Sequence, residues 1–190
     1  SVNYLIMYFS PTNVAHAMCA INFIIQSGDL HTRSRKFIIA LAQQFENILL
    51  YAVISNKLAL VKTLLDVECN PNVSYTNGNT LLHETDNPQI IKALLTAGAN
   101  CNAANDNGIT PLHQAKTIEI VNLLLSAGAD PEAISKNGVS VLEFAKNRMR
   151  TKIIPVISEA IYKKSEIKQT EISGYRTNHL FANTISHEEE

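Results

Sequence analysis

The sequence predicts an all-α solenoid of stacked helix-turn-helix units with projecting β-hairpin turns, and three observations predict it. Apolar pairs return every thirty residues: Leu60-Val61, Ile90-Ile91 and Ile120-Val121, followed by Leu64-Leu65, Leu94-Leu95 and Leu124-Leu125. Turn formers return in step, with Gly98 matching Gly128 and Asn77-Gly78 matching Asn107-Gly108 and Asn137-Gly138. Leu82-His83 returns as Leu112-His113, and weakly as Leu142-Glu143. Self-similarity at such a period marks stacked supersecondary units, each covering an apolar face of its neighbour.

Each unit has a physical reading. Residues 90, 91, 94 and 95 form one broad apolar stripe on a helix. Asn87 can cap that helix, with Pro88 at its first position, where the missing N–H costs nothing. Gly98 ends it, where a residue tolerating positive φ is wanted. Asn-Cys-Asn and an Asn-Gly hairpin turn follow, and Thr110-Pro111 opens a second helix, short and made of small residues.

These residues carry a family resemblance. The stretch NGITPLHQAKTIEIVNLLLSAGADPEA, residues 107 to 133, resembles an ankyrin repeat, with Thr110, Pro111, Leu112, His113 and Ala115 in the T-P-L-H-x-A pattern. Residues 78 to 103 are similar, with Leu81 where Pro is usual and Thr85 where Ala is usual. Residues 47 to 73 look like a degenerate copy with Glu68 at the usual Gly, and Gly138 to about Tyr162 looks like a closing repeat. The resulting division is 47–79, 80–109, 110–139 and 140–164, the last including a C-terminal cap.

The chain departs from the family in spacing. Ankyrin repeats run to about 33 residues, yet Thr80 to Thr110 and Thr110 to Ser140 each span 30, whereas Asn47 to Thr80 keeps 33. The missing residues fall just after Thr85 and Ala115, so the first helix of those repeats is expected to lose about a turn and the groove floor to be shallower there.

Residues 1–46 are expected to be an N-terminal helical cap or an eroded repeat. Its helices would run from Val14 to Gln26 and from about Arg35 to Gln44, broken at Ser27-Gly28-Asp29, with Thr32 or Ser34 as cap. At the far end Glu143 to Arg150 and Ile153 to Lys164 can close the array, with Pro155 near the start of the last helix. Residues 165–190 read as a polar tail without sustained period, in which Tyr175, Leu180 and Phe181 could dock on the solenoid or a partner. Its closing Glu188-Glu189-Glu190 reads as solvated, and it also looks like the acidic export signals of bacterial type IV secretion effectors.

Composition narrows the function. The net charge of −1, from 16 basic and 17 acidic residues, gives no global field for nucleic acid or an anionic membrane. Three cysteines without a CxxC pattern suit a reducing compartment better than a disulfide framework. Apolar runs fall short of the about 20 residues that span a bilayer. The chain opens on Ser1 without a basic start, which leaves room for a trimmed or excised domain of a larger parent protein.

The search for chemistry ends without a catalytic, cofactor or metal site. His83 and His113 share one repeat position, which argues against catalysis; the resemblance makes them structural, tying neighbouring loops. His83-Glu84 does not extend to HExxH, because position 87 is Asn. Cys69 and Cys101 have no base and electropositive setting nearby, so packing is their expected role. The glycines form neither GxGxxG nor a P-loop. Arg148, Arg150, Lys152 and Lys163-Lys164 read as the solvated face of the cap.

What packing leaves over is surface. The resemblance implies that a ligand meets hairpin tips and inner helices. The tips are Ser74, Tyr75 and Thr76, then Ala104, Asn105 and Asp106, then Ile134, Ser135 and Lys136. The inner positions are Tyr51, Ile54 and Ser55, then Glu84 and Asp86, then Gln114 and Lys116, then Phe144, Asn147 and Arg148. Tyr and Arg are favoured at interface hot spots, which singles out Tyr51, Tyr75, Phe144 and Arg148. The expected function is binding of another protein by a monomeric, cytoplasmic module with no nucleic-acid or membrane partner. A pathogen effector delivered to a host cytosol is one form of it. The alternative is a targeting or regulatory module of an enzyme whose catalytic domain lies outside the chain.

Overall fold

The computed structural model describes residues 14–28, 32–45 and 47–185, with backbone alone for residues 32, 33, 168 and 171–185. Two helices open it: α1 (Val14–Ser27) and α2 (Thr32–Gln44), joined through Gly28 in the left-handed region at φ +69°. α1 buries Ala17, Met18, Ala20, Ile21 and Ile24, and it packs on α2 and on both helices of the next unit, α3 (Ile48–Ile54) and α4 (Leu58–Asp66). The guanidinium of Arg35 on α2 donates to the carbonyl of Asp66 at 3.0 Å, fastening this cap to the end of α4. The reading of residues 1–13 lies outside the described residues.

Two rows of elements follow. The outer row continues from α4 to α5 (Pro88–Thr96) and α7 (Ile118–Ser126), each packed on the one before. The inner row runs from α3 through a 3-10 turn at Leu81–His83 to α6 (Pro111–Gln114) and α8 (Val141–Asn147). The trimmed inner elements are as the spacing predicts: one turn and four residues, against seven in α3 and α8. The stripe expected on α5 is its buried face, with Ile90, Ile91 and Leu94 inside, and α7 buries Ile120, Val121 and Leu124 likewise.

Capping chemistry sets the boundaries. Asn87 accepts the amide of Gln89 at 2.9 Å ahead of Pro88. α5 ends with Gly98 at φ +86°, its amide bonded to Leu95 and the amide of Ala99 to Leu94. This double bond satisfies carbonyls that the helix end leaves orphaned. Glu68 takes the same left-handed position at the end of α4, at φ +65°.

The turns between repeats project as short hairpins, marked by the bridges Ser74 to Thr80 and Ile134 to Ser140 and by the Asn105 amide bonding to the Ile109 carbonyl at 3.0 Å. Their tips stack. The amide of Asp106 donates to the carbonyl of Asn77 at 3.0 Å, and that of Lys136 to Asn107 at 3.0 Å. Glycine is required beneath each of these contacts: a Cβ on Gly78 would stand 2.6 Å from the Asp106 carboxylate, and one on Gly108 2.6 Å from the Lys136 nitrogen.

The C-terminal region differs from the expected tail. α9 runs from Ile154 to Ile185, through most of the segment read as unpatterned. A missing apolar period does not by itself exclude a helix. Glu, Lys, Gln and Ile hold helical backbone through local propensity, and no proline follows Pro155. α9 packs on α7 and α8, with Ile153 and Ile157 in the core. Lys164 bridges Asp130 at 2.6 Å and Glu132 at 3.0 Å, closing the array over the last loop.

Candidate protein-binding surface

Most of the residues read from the sequence belong to the inner row of helices and to the hairpin tips. Tyr51 and Ile54 are 48 % and 57 % exposed on α3, the helix whose Ile48, Leu49, Ala52 and Val53 are buried. Ser55 follows as the cap of α3. An open concavity of about 590 Å3 is lined by Ile54, Asn56, Glu84, Asp86 and Pro88 among others, whereas Tyr51 and Ser55 line a separate hollow with Val14 and Met18 of α1. The first sits where full-length α3 meets the one-turn inner element of the next repeat.

The acidic residues of this region are already engaged. Glu84 accepts from the Asn79 amide group at 2.8 Å. Asp86 pairs with Lys116 of the next repeat, both of them solvent-exposed. Such exposed pairs hold geometry more than they add stability.

At the far end Phe144 is half-buried, its ring edge-on to His113 at 5.8 Å. The guanidinium carbons of Arg148 and Arg150 lie 5.2 and 5.9 Å from its centroid, within cation–π range. Arg150 also donates to the carbonyls of His113, Gln114 and Ala115 at 3.2, 2.8 and 2.9 Å. It therefore caps the short inner element, while Arg148 and Asn147 remain exposed.

Three tip residues face elsewhere than a simple tip assignment implies: Tyr75, Asn105 and Ser135, the last buried with its hydroxyl accepting the Val139 amide at 3.1 Å. Tyr75 is turned inward against the core. Its hydroxyl is buried without a hydrogen-bond partner among the described residues. Burial, with a smaller contribution from Cys69, pushes its pKa up to about 12. Asn105 is committed to its own hairpin: its carbonyl oxygen accepts the amides of Asn107 and Ile109, and its amide group donates to Asn79 at 2.8 Å. The exposed tips are Ser74, Thr76, Ala104, Asp106, Lys136 and Ile134, the last 64 % exposed.

The repeated histidines are structural groups. The Nδ1 of His83 accepts from the Thr80 amide at 3.1 Å, which leaves the proton on Nε2, 2.9 Å from the Ile109 carbonyl. His113 repeats this with Thr110 and, more loosely, Val139. Burial lowers the pKa of both, so they stay neutral donors. Cys101 is buried, with its thiol 3.3 Å from the Ala127 carbonyl, and burial raises the pKa of Cys69 and Cys101 alike. Neither is poised as a thiolate. Among the described residues no three His, Cys, Asp or Glu side chains converge as a metal site. Nor is any single described helix long and apolar enough to cross a membrane.

The sequence reading missed the clamps between loops. Asn72 accepts the amide of Asn100 at 2.7 Å and donates to the Gly98 carbonyl at 3.0 Å. Asn102 repeats both contacts with Asp130 and Gly128. Their thirty-residue separation was the available signal. A second hollow, of about 650 Å3, opens on the outer face between α4 and α5. Ala93 lines it where the next repeat has Leu123, so missing bulk and not convergent polar groups creates it.

These features define a stacked-repeat scaffold whose hydrogen-bonded histidines and loops fix one exposed edge. Comparison with protein-family models matches residues 49–135 to ankyrin repeats, in three copies. Residues 49–135 are thus ankyrin repeats, and such repeats are protein–protein interaction modules and typically non-catalytic. A search of the curated proteins found no match.

Proposed function

We propose that the chain binds another protein through the inner edge, with Tyr51 and Ile54 as the apolar anchor and Phe144 with Arg148 as a second, cationic-aromatic anchor. One observation carries this: Tyr51 and Ile54 stand about half exposed on a helix whose other face fills the core, with Ile54 lining the concavity toward the next repeat and Tyr51 lining a second hollow against α1. Large apolar side chains beside a hollow are typical anchors of an interface. The hairpins are held by the bonds described above, so little loop entropy is lost on binding.

We read the chain as a cytoplasmic monomer with no nucleic-acid or membrane partner, in line with its near-zero net charge. The effector reading rests on Glu188 to Glu190, which lie outside the described residues. The enzyme-module alternative needs a catalytic domain beyond these 190 residues.

The test is affinity capture with the parent chain, a Tyr51→Ser/Ile54→Ser variant, and an outer-face Lys62→Ser/Lys92→Ser control. The inner-face variant should lose the captured protein while melting like the parent, and the control should keep it. Equal capture by all three would displace the binding face from α3.

A further inference from the structure

The array contains a chemical experiment in triplicate. Asn77-Gly78, Asn107-Gly108 and Asn137-Gly138 are the same dipeptide at the same repeat position. Asn-Gly is the pairing most open to spontaneous amide loss, because glycine leaves the attacking backbone nitrogen unhindered. In each tip that nitrogen is held alike: Gly78 bonds to Tyr75 at 3.0 Å, Gly108 to Asn105 at 2.8 Å and Gly138 to Ser135 at 2.9 Å. Asn77 alone of the three stands in the left-handed region, at φ +62°, and the tips differ also in what lies over them. The Asn77 carbonyl accepts from Asp106 and the Asn107 carbonyl from Lys136, both at 3.0 Å. Gly78 and Gly108 lie against those same residues, whereas nothing stands within 4 Å of a Cβ built on Gly138. No hydrogen bond to the Asn137 carbonyl forms among the described residues, and Asn137 and Gly138 are both exposed.

We propose that Asn137 is a site of spontaneous deamidation, and that stacking of the next tip protects Asn77 and Asn107. The Gly138 backbone nitrogen attacks the Asn137 side-chain carbonyl carbon and gives up its proton to solvent base. The bond to the side-chain nitrogen breaks, and ammonia leaves. Water then opens the resulting succinimide at either carbonyl, giving aspartate or isoaspartate; no electrons are exchanged. Ring closure rotates the Asn–Gly peptide plane. At 77 and 107 that rotation breaks the carbonyl's bond to the next tip and drives the glycine into its backbone. At 137 only the bond to Ser135 must open. The product sets a carboxylate, in half or more of the molecules on a lengthened backbone, beside Lys136 and near Ile134 on the exposed edge.

The test is incubation of the full chain at mildly alkaline pH, followed by peptide mapping and enzymatic isoaspartate methylation. Asn137 should react faster than Asn107 and Asn77 by on the order of tenfold, the worth of one further backbone bond to be broken. In denaturant the three rates should converge, which shows that the fold and not local sequence sets the difference. An Asn137→Gln variant should lose the main isoaspartate signal. Equal rates in the native protein, or Asn107 as fast as Asn137, would overturn the proposal, because neither of these two asparagines has positive φ and only the tip at 107 is covered.

Discussion

The Nε2 of His83 lies 2.9 Å from the carbonyl of Ile109 and so ties the second inner element to the hairpin that leads into the third repeat. That bond needs Nδ1 as an acceptor for the Thr80 amide. Burial disfavours the charged ring and is why its pKa falls below 6.5, and protonating Nδ1 would also cost the bond at Thr80. For such a group the unfolded chain binds the proton first. The stability it protects is complete above about pH 6.5 and is lost as pH falls from there toward the lowered folded pKa. His113 adds in the same direction. Thermal melts should be flat from pH 7 to 8 and drop below pH 6.5. A His83→Ala variant should start about 1–3 kcal/mol lower and show a smaller drop.

The core prediction concerns Leu94 and Leu124, exposed by 0 % and 1 % in the seams between outer helices. Leu94→Ala or Leu124→Ala should each destabilise by about 2–5 kcal/mol in denaturant titration. A change under about 1 kcal/mol would place neither residue in the seam.

These two leucines also mark how far the sequence could be read. Their register followed from period alone, because a buried stripe must repeat wherever the backbone repeats. The same logic located the caps at Asn87 and Gly98 and the shortened inner elements after Thr80 and Thr110. It failed where function of a side chain depends on a neighbour far along the chain. Tyr75 looked like an exposed tip because its inward turn is set by the unit beneath it. Arg150 looked like a solvated cation, although it caps carbonyls some 35 residues earlier. The length of α9 was invisible for another reason: propensity without amphipathic period leaves no mark in an apolar pattern. Of the candidate surface, Tyr51, Ile54 and Arg148 were legible as positions that packing leaves free.

Glu68 holds a left-handed conformation at φ +65°, where the next two repeats use Gly98 and Gly128. A side chain there costs roughly 1–2 kcal/mol, partly offset by the backbone entropy a glycine would lose. Glu68→Gly should therefore raise stability by about 0.5–1 kcal/mol, read as an upward shift in melting temperature. A destabilised variant would mean that the Glu68 side chain holds an interaction worth more than its strain.

Gly108 and Gly138 separate backbone strain from crowding. Both have positive φ, +74° and +77°, but only Gly108 faces the Lys136 backbone. Gly138→Ala should cost about 1–2 kcal/mol from conformation alone. Gly108→Ala should cost about 1–3 kcal/mol more, because the tip above it must move. Denaturant titration of the pair checks this, and equal losses would mean that the hairpin tips do not stack in solution.

Tyr75 gives the alkaline counterpart of the histidines. Its hydroxyl is buried without a partner among the described residues, and its pKa is pushed up to about 12 from the usual 10. Here the folded state resists losing the proton. Stability is complete below pH 10 and declines as the unfolded chain ionises between pH 10 and about 12. Tyr75→Phe removes both the ionisation and the unpaired hydroxyl. It should match or exceed the parent at neutral pH, since deleting a buried polar group that lacks a partner is neutral or favourable. It should also lose less stability between pH 10 and 11. A clear loss at neutral pH would mean that the hydroxyl has a partner in solution.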